Sequence, residues 1–135
     1  MSIEIGTIGR AELKVLDQHL ASALNQEEGD GFPEVFATAS MIALMELASS
    51  RALHPLLTEG EISVGVTVDV THFAPTARGV TVTAEGFFKG MEGRYYVFDV
   101  VARDPSGEIG RGLHKRVIVS RERLLASAAK RSVQA

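Results

Sequence analysis

The sequence predicts an α+β fold: one long apolar helix wrapped by a five-stranded antiparallel sheet. Three observations carry this. Residues Phe36 to Ser50 hold one charge, Glu46, in a stretch dominated by Ala, Leu and Met, all strong helix formers. After Gly60 the pattern changes to period 2, with Ile62, Val64, Val66, Val68 and Val70 alternating with Ser63, Gly65, Thr67, Asp69 and Thr71, as in a strand with one apolar face. The later β-prone runs are separated mostly by short Gly/Pro turn signals, so neighbouring strands should be antiparallel. A helix apolar on most of its surface has to be covered, and a sheet curled around it does so. This is the hot-dog arrangement.

The elements follow in order. Apolar residues recur through residues 3–16, with Gly6 and Gly9 as breaks, and a strand is expected at about 10–16. Residues 17–31, with Asn-Gln-Glu-Glu-Gly-Asp-Gly, read as loop with one helical turn near 18–23. Thr38 is the expected N-cap of the long helix, which should run to about Leu53, ahead of Pro55. The alternating strand after Gly60 leads to a turn at Pro75 and Gly79. Further strands are expected from Val80 to Lys89, Arg94 to Arg103 and Ile109 to Ser120, with turns at Gly90–Gly93 and Asp104–Gly107. Residues 121–130 read as a short exposed helix. A five-stranded sheet of this kind leaves an edge strand and part of the helix uncovered, and a homodimer joining two sheets would cover both.

Composition narrows the function. The 135 residues suit one domain, 1–135, with 45% hydrophobic and 23% charged residues. A net charge of −3 argues against a nucleic-acid partner, which needs a basic face. The absence of cysteine excludes disulfides, thiolate metal sites and a Cys nucleophile. No apolar run approaches the ~20 residues that span a bilayer. The start, Met-Ser-Ile-Glu-Ile-Gly, lacks the pattern of a signal peptide. No membrane partner and a cytoplasmic location are therefore expected.

Glu46 is the first candidate for chemistry. A carboxylate in a segment this apolar should be buried, at roughly several kcal/mol unless it is paired or protonated. His72 is the second. It continues the even register of Val64 to Val70, which puts its side chain on the helix-facing side, where it could satisfy Glu46 or act with it as an acid/base pair. Thr38 is the third, at a helix start that favours negative charge. Eight positions separate Thr38 from Glu46, about 80° around the axis and ~12 Å along it, so a substrate lying along the helix could meet both. Each has a plain structural reading as well: a cap, a satisfied core histidine, a paired carboxylate.

His19 and His54 read as surface residues. His114, beside Lys115 and Arg116, belongs to a basic cluster that could hold a phosphate or solvate an edge. No metal-ligand spacing occurs, and Gly86, Gly90 and Gly93 form no phosphate loop.

Several segments resemble the fluoroacetyl-CoA thioesterase-like family of hot-dog enzymes. They are Phe32-Pro-Glu-Val-Phe-Ala-Thr38, Met41-Ile-Ala-Leu-Met-Glu46, Thr71-His-Phe-Ala-Pro-Thr76, Gly79-Val-Thr-Val82 and Ile109-Gly-Arg-Gly-Leu-His-Lys-Arg116. The resemblance covers about residues 29–119. It implies that Thr38, Glu46 and His72 are catalytic and that the Gly65 backbone N–H helps bind the thioester oxygen. It also implies hydrolysis of an acyl-CoA to free acid and CoA, in a pocket at a dimer interface. Coenzyme A is then part of the substrate, and no separate cofactor or metal is expected.

Two departures stand out. Ala39 follows Thr38 where many members have Pro, and the segment Glu27-Glu-Gly-Asp-Gly31 has no aromatic residue. Fluoroacetyl specificity is therefore not part of the expectation. Phe32, Val35 and Phe36, with Met41 and Met45, are candidates to line the acyl pocket or pack the core. Arg78, Lys89, Arg94, Lys115 and Arg116 are candidates for the CoA phosphates, with Arg116 favoured by the resemblance. Two other readings stay open: an enoyl-CoA hydratase or dehydratase of the same fold, and a non-catalytic acyl-CoA-binding dimer.

Overall fold

A computed structural model describes residues 2–132. Strand β1 (Ile8–Lys14) is followed by two short 3-10 turns, Asp17–His19 and Ala21–Leu24, and then by helix α1 (Thr38–Leu53). After a third 3-10 turn come β2 (Glu61–His72), β3 (Thr81–Glu92), β4 (Tyr95–Asp104), β5 (Gly107–Ser120) and helix α2 (Arg121–Ser132). The five strands form one antiparallel sheet in the order β1-β3-β4-β5-β2. This is the expected hot-dog arrangement. The β2–β3 connection crosses the sheet, which leaves β2 as an edge.

Helix α1 buries Met41, Leu44, Met45, Ala48, Ser49, Ala52 and Leu53, a stripe at helical spacing. These residues meet Phe36, Val82, Ala84, Phe88, Phe98, Val100 and Ile109 in the core. The helix lies unusually close to the sheet. A Cβ at Gly9 would strike the Ala48 carbonyl oxygen, and one at Gly86 would strike the Ser49 side chain. Two glycines on the sheet and small residues on the helix thus set the approach. The opposite side of α1 is open. Leu47 is 43% exposed there, as are Val66 and Val68 on β2, at 43% and 41%.

Local differences from the expected elements have identifiable causes. Strand β1 starts and ends two residues earlier, although Val15 still donates to Val80 O at 2.9 Å. Strand β3 runs through Gly90, so the turn moves to Gly93 and Arg94. Gly90 (φ 133) sits where the β3–β4 register shifts, while Gly93 (φ 62) takes the turn position that favours glycine. The N-cap of α1 is Ala37, and no side chain caps the helix. Thr38, expected as the cap, is the first helical residue.

The largest correction lies in β2. Gly65 pairs with Arg116 and Thr67 with Lys115, so Val66 is an extra residue, a β-bulge. One inserted residue exchanges the two faces of everything beyond it. Ser63 and Gly65 face the helix before the bulge, and Val68, Val70 and His72 after it. The single apolar face from Val64 to Val70 is therefore broken, although His72 still turns toward α1.

Candidate active site

Two polar clusters line the junction of α1 with β2. The first joins the start of the helix to the end of the strand. Thr38 Oγ1 lies 2.8 Å from His72 Nδ1. The chain before Thr38 is held by three backbone bonds: Ala21 N to Val35 O (2.8 Å), Ala37 N to His19 O (2.9 Å) and Phe36 N to Thr76 O (2.9 Å). Phe36 packs edge-on to the His72 ring, with centroids 6.5 Å apart. Burial pushes the His72 imidazole below the ordinary histidine value, and the Ala74 backbone acts in the opposite sense. Its Nε2 is buried and finds no partner among the described residues. Nδ1 is the nitrogen engaged with Thr38. Beside this pair lies an open cleft of about 380 Å³, lined by Val35, Phe36, Thr38, His72 and Phe73 among others.

The second cluster surrounds Glu46. Its carboxylate accepts from Arg116 Nη1 at 3.3 Å. Arg116 also donates from Nε to Ser63 Oγ (3.0 Å), from Nη2 to Ser63 O (2.9 Å) and from Nη1 to His114 Nε2 (3.1 Å). His114 Nδ1 lies 2.8 Å from Thr67 O. Arg116 and His114 are 6% and 1% exposed. Burial lowers the Arg116 pKa, and the charge and hydrogen bond of Glu46 raise it. Burial also lowers the His114 pKa, the Thr67 hydrogen bond raises it, Arg116 lowers it and Glu46 raises it. A Cβ at position 65 would collide with Glu46 Oε1, so glycine leaves room for the carboxylate where it lies.

The expected residues thus separate into two groups. Thr38 meets His72, while Glu46 meets Gly65 and Arg116, and His72 is not the partner of Glu46. About 12 Å of helix rise separates Thr38 from Glu46, and roughly 20 Å of strand separates Gly65 from His72. Glu46 is half-buried, its side chain 40% exposed, because it lies between the buried stripe of α1 and its open side. Phe36 is 1% exposed and Phe32 49%, and Val35 lines the cleft. Phe32 is instead tied by its backbone to the Asn25 amide, at 2.9 and 3.2 Å.

Arg116 is too enclosed to meet a CoA phosphate, because all three of its nitrogens serve protein acceptors. The other cations are near the surface. Arg78 pairs with Asp17 (2.6 Å), Lys89 with Asp99 (3.6 Å) and Lys115 with Glu92 (2.6 Å), and Arg94 lies over Tyr95. His19 is half-buried and accepts from Leu16 N at 2.9 Å, whereas His54 is exposed. Ser63 and the part played by His114 were not visible as site features. The bulge hides Ser63, and two neighbouring cations place His114 in a basic cluster that could hold a phosphate or solvate an edge. Its even spacing with Arg116 was the available signal.

Fold and comparison together define the class, a hot-dog thioesterase. Residues 15–122 match the family described as fluoroacetyl-CoA-specific thioesterase, FlK. The fluoroacetyl-CoA thioesterase of Streptantibioticus cattleyicolor is 43% identical over 101 residues, spanning 75% of this chain and 73% of that protein. A solved structure of the fluoroacetyl-CoA thioesterase FlK superposes with a TM-score of 0.89 at 36% identity, over 96% of this chain and 98% of that one. A hypothetical protein of Thermus thermophilus, described as a thioesterase superfamily member, superposes with a TM-score of 0.86 at 27% identity, over 98% and 96%. The chain belongs to the fluoroacetyl-CoA-specific thioesterase family and is a thioester hydrolase acting on acyl-CoA. Among the described residues, no helix is long and apolar enough to cross a membrane.

Proposed function

We propose that this chain hydrolyses a small acyl-CoA thioester in a pocket completed by a second copy of itself. The observation that carries this is a carboxylate, Glu46, aimed by a buried arginine at a strand glycine that leaves it room. In this reading Glu46 either attacks the thioester carbonyl, with water then hydrolysing the resulting glutamyl anhydride, or takes a proton from the water that attacks the carbonyl. The C–S bond breaks, and the thiolate of CoA leaves with a proton delivered through His72. The Thr38 hydroxyl and the Gly65 N–H stabilise charge on the carbonyl oxygen. The reaction needs no cofactor beyond the CoA of the substrate.

Separation of the two clusters argues for the second copy, because one carbonyl cannot touch both within a chain. The uncovered β2 edge offers a solution. Antiparallel pairing of β2 with its copy, centred on Asp69, sets the Gly65–Val66 bulge opposite the partner's His72. The exposed Leu47, Val66 and Val68 lie along this junction. Each site would then combine Glu46, Gly65 and Arg116 with the partner's Thr38 and the partner's His72.

The test has two parts. CoA release from a panel of short acyl-CoAs is measured for wild type and Glu46→Gln, with enoyl absorbance followed in parallel. Equal rates would remove Glu46 from the mechanism, and loss of enoyl absorbance without free thiol would favour hydration. Glu46→Gln and His72→Asn chains are then mixed and reassembled. A shared site predicts that activity returns in mixed dimers, while two inactive parents giving an inactive mixture would count against it.

A further inference from the structure

We infer that His114 is a positioning residue for this hydrolysis, acting in its Nδ1–H tautomer to hold Arg116 on the Glu46 carboxylate. The inference rests on the proposed role of Glu46. The tautomer follows from the partners. The Thr67 carbonyl can only accept, so Nδ1 carries the hydrogen and donates over 2.8 Å. The Arg116 guanidinium can only donate, so Nε2 is unprotonated and accepts over 3.1 Å. An imidazolium would bring N–H against N–H at that contact.

The guanidinium nitrogen that His114 restrains, Nη1, is the one that reaches Glu46 Oε1. Ser63 fixes the other two, Nε and Nη2. The fork is thus held at every nitrogen, and rotation away from Glu46 would break a bond to His114. Thr67 adds a second constraint. It lies immediately after the bulge, so the imidazole ties the bulged strand to the arginine. Among the described residues, the charged groups acting on His114 are Arg116 and Glu46, and burial and Arg116 both favour the neutral ring.

The alternative is a histidine that only fills the core. Three substitutions separate the two. His114→Gln places an amide oxygen near the position of Nε2 and keeps an acceptor for Arg116. His114→Asn reaches only the Nδ1 position, and His114→Phe keeps ring volume with no polar atom. Positioning predicts that kcat falls about tenfold in Asn and Phe with KM little changed, and that Gln recovers most of it. In a Glu46→Gln background, His114→Phe should add no further loss.

Nitrogen-15 NMR of the wild-type ring should show the Nδ1–H signature unchanged from pH 5 to pH 8. An Nε2–H signature, or wild-type kcat in His114→Phe, would overturn the inference. Absence of CoA release from the wild type would instead sink the hydrolytic reading, with the tautomer signal still deciding whether His114 holds Arg116.

Discussion

The Thr38 hydroxyl sits 2.8 Å from Nδ1 of His72, at the N-terminus of a helix with no side-chain cap. One position earlier, at the N-cap, a threonine would spend its oxygen on the helix's own N–H groups. Here the oxygen is given to an imidazole, and the two residues form a unit beside an open cleft.

Thr38→Val should therefore leave the helix nearly intact and impair catalysis. We expect a fall in kcat of about 100-fold, within the range for loss of acid/base assistance, and a melting temperature within a few degrees of wild type. Thr38→Ser keeps the oxygen and should stay within about tenfold. Thiol release and thermal melting test both. A valine variant as active as wild type would reduce the contact to packing.

Gly65→Ala tests the close approach to Glu46. The added methyl must displace the carboxylate, the far end of a flexible and half-exposed side chain, so the stability cost should stay within about 1 kcal/mol. Because β2 is an edge strand, the protein should still fold. A shift of the carboxylate by about 1 Å is enough to cost roughly tenfold or more in rate. Comparing kcat with the urea midpoint separates the effects, and a stability loss without a rate loss would contradict the prediction.

Arg116 should resist conservative replacement. Lysine carries the charge but lacks the planar fork that serves Ser63, His114 and Glu46 together. We expect Arg116→Lys to lose about 1–2 kcal/mol from incomplete hydrogen bonding. Arg116→Met should lose about 1–3 kcal/mol, because it leaves the buried His114 acceptor and the partly exposed Ser63 and Glu46 without their donor. Urea denaturation measures both. A methionine variant as stable as wild type would mean that water replaces the network easily.

Stability should fall as pH drops below about 6.5. His72 and His114 both have lowered pKa values in the folded chain, chiefly from burial. Below 6.5 the unfolded chain takes up protons that the folded chain refuses, so stability is lost until the folded values are reached. One such group contributes at most about 1.4 kcal/mol per pH unit. The lowered carboxylates Asp30, Glu61 and Glu85 act in the same direction, but only at lower pH, below about 4.5. Melting temperatures from pH 7 to pH 5 should thus decline less in His114→Gln than in wild type. Parallel curves would remove His114 as a source of the slope.

Much of the architecture is legible in the sequence because it rests on periodicity. Helix α1 announces itself through spacing and helix formers, and β5 through its alternation and its turn. The site is only half legible. Glu46, His72 and Thr38 stand out as polar groups on apolar elements, but their pairing does not. Which of them meet depends on the relative path of α1 and β2, which no local pattern encodes. The Glu46–Arg116 contact joins residues seventy positions apart. The Val66 bulge is equally silent, because a run of alternating valines reads as one face whether or not a residue is inserted.

That inserted valine makes β2 a strand of two phases. Odd positions before it and even positions after it look toward the same helix, so Gly65 and His72 serve one side although their numbers differ in parity. Deleting Val66 would restore a regular ladder and keep the other pairings, Gly65 with Arg116 and Thr67 with Lys115, so the glycine and the histidine would stay on one side. Loss of the bulged residue should therefore disturb this face less than replacement of the glycine or the histidine. What the two positions require is a common face, which an odd separation reaches only with a bulge and an even separation reaches without one.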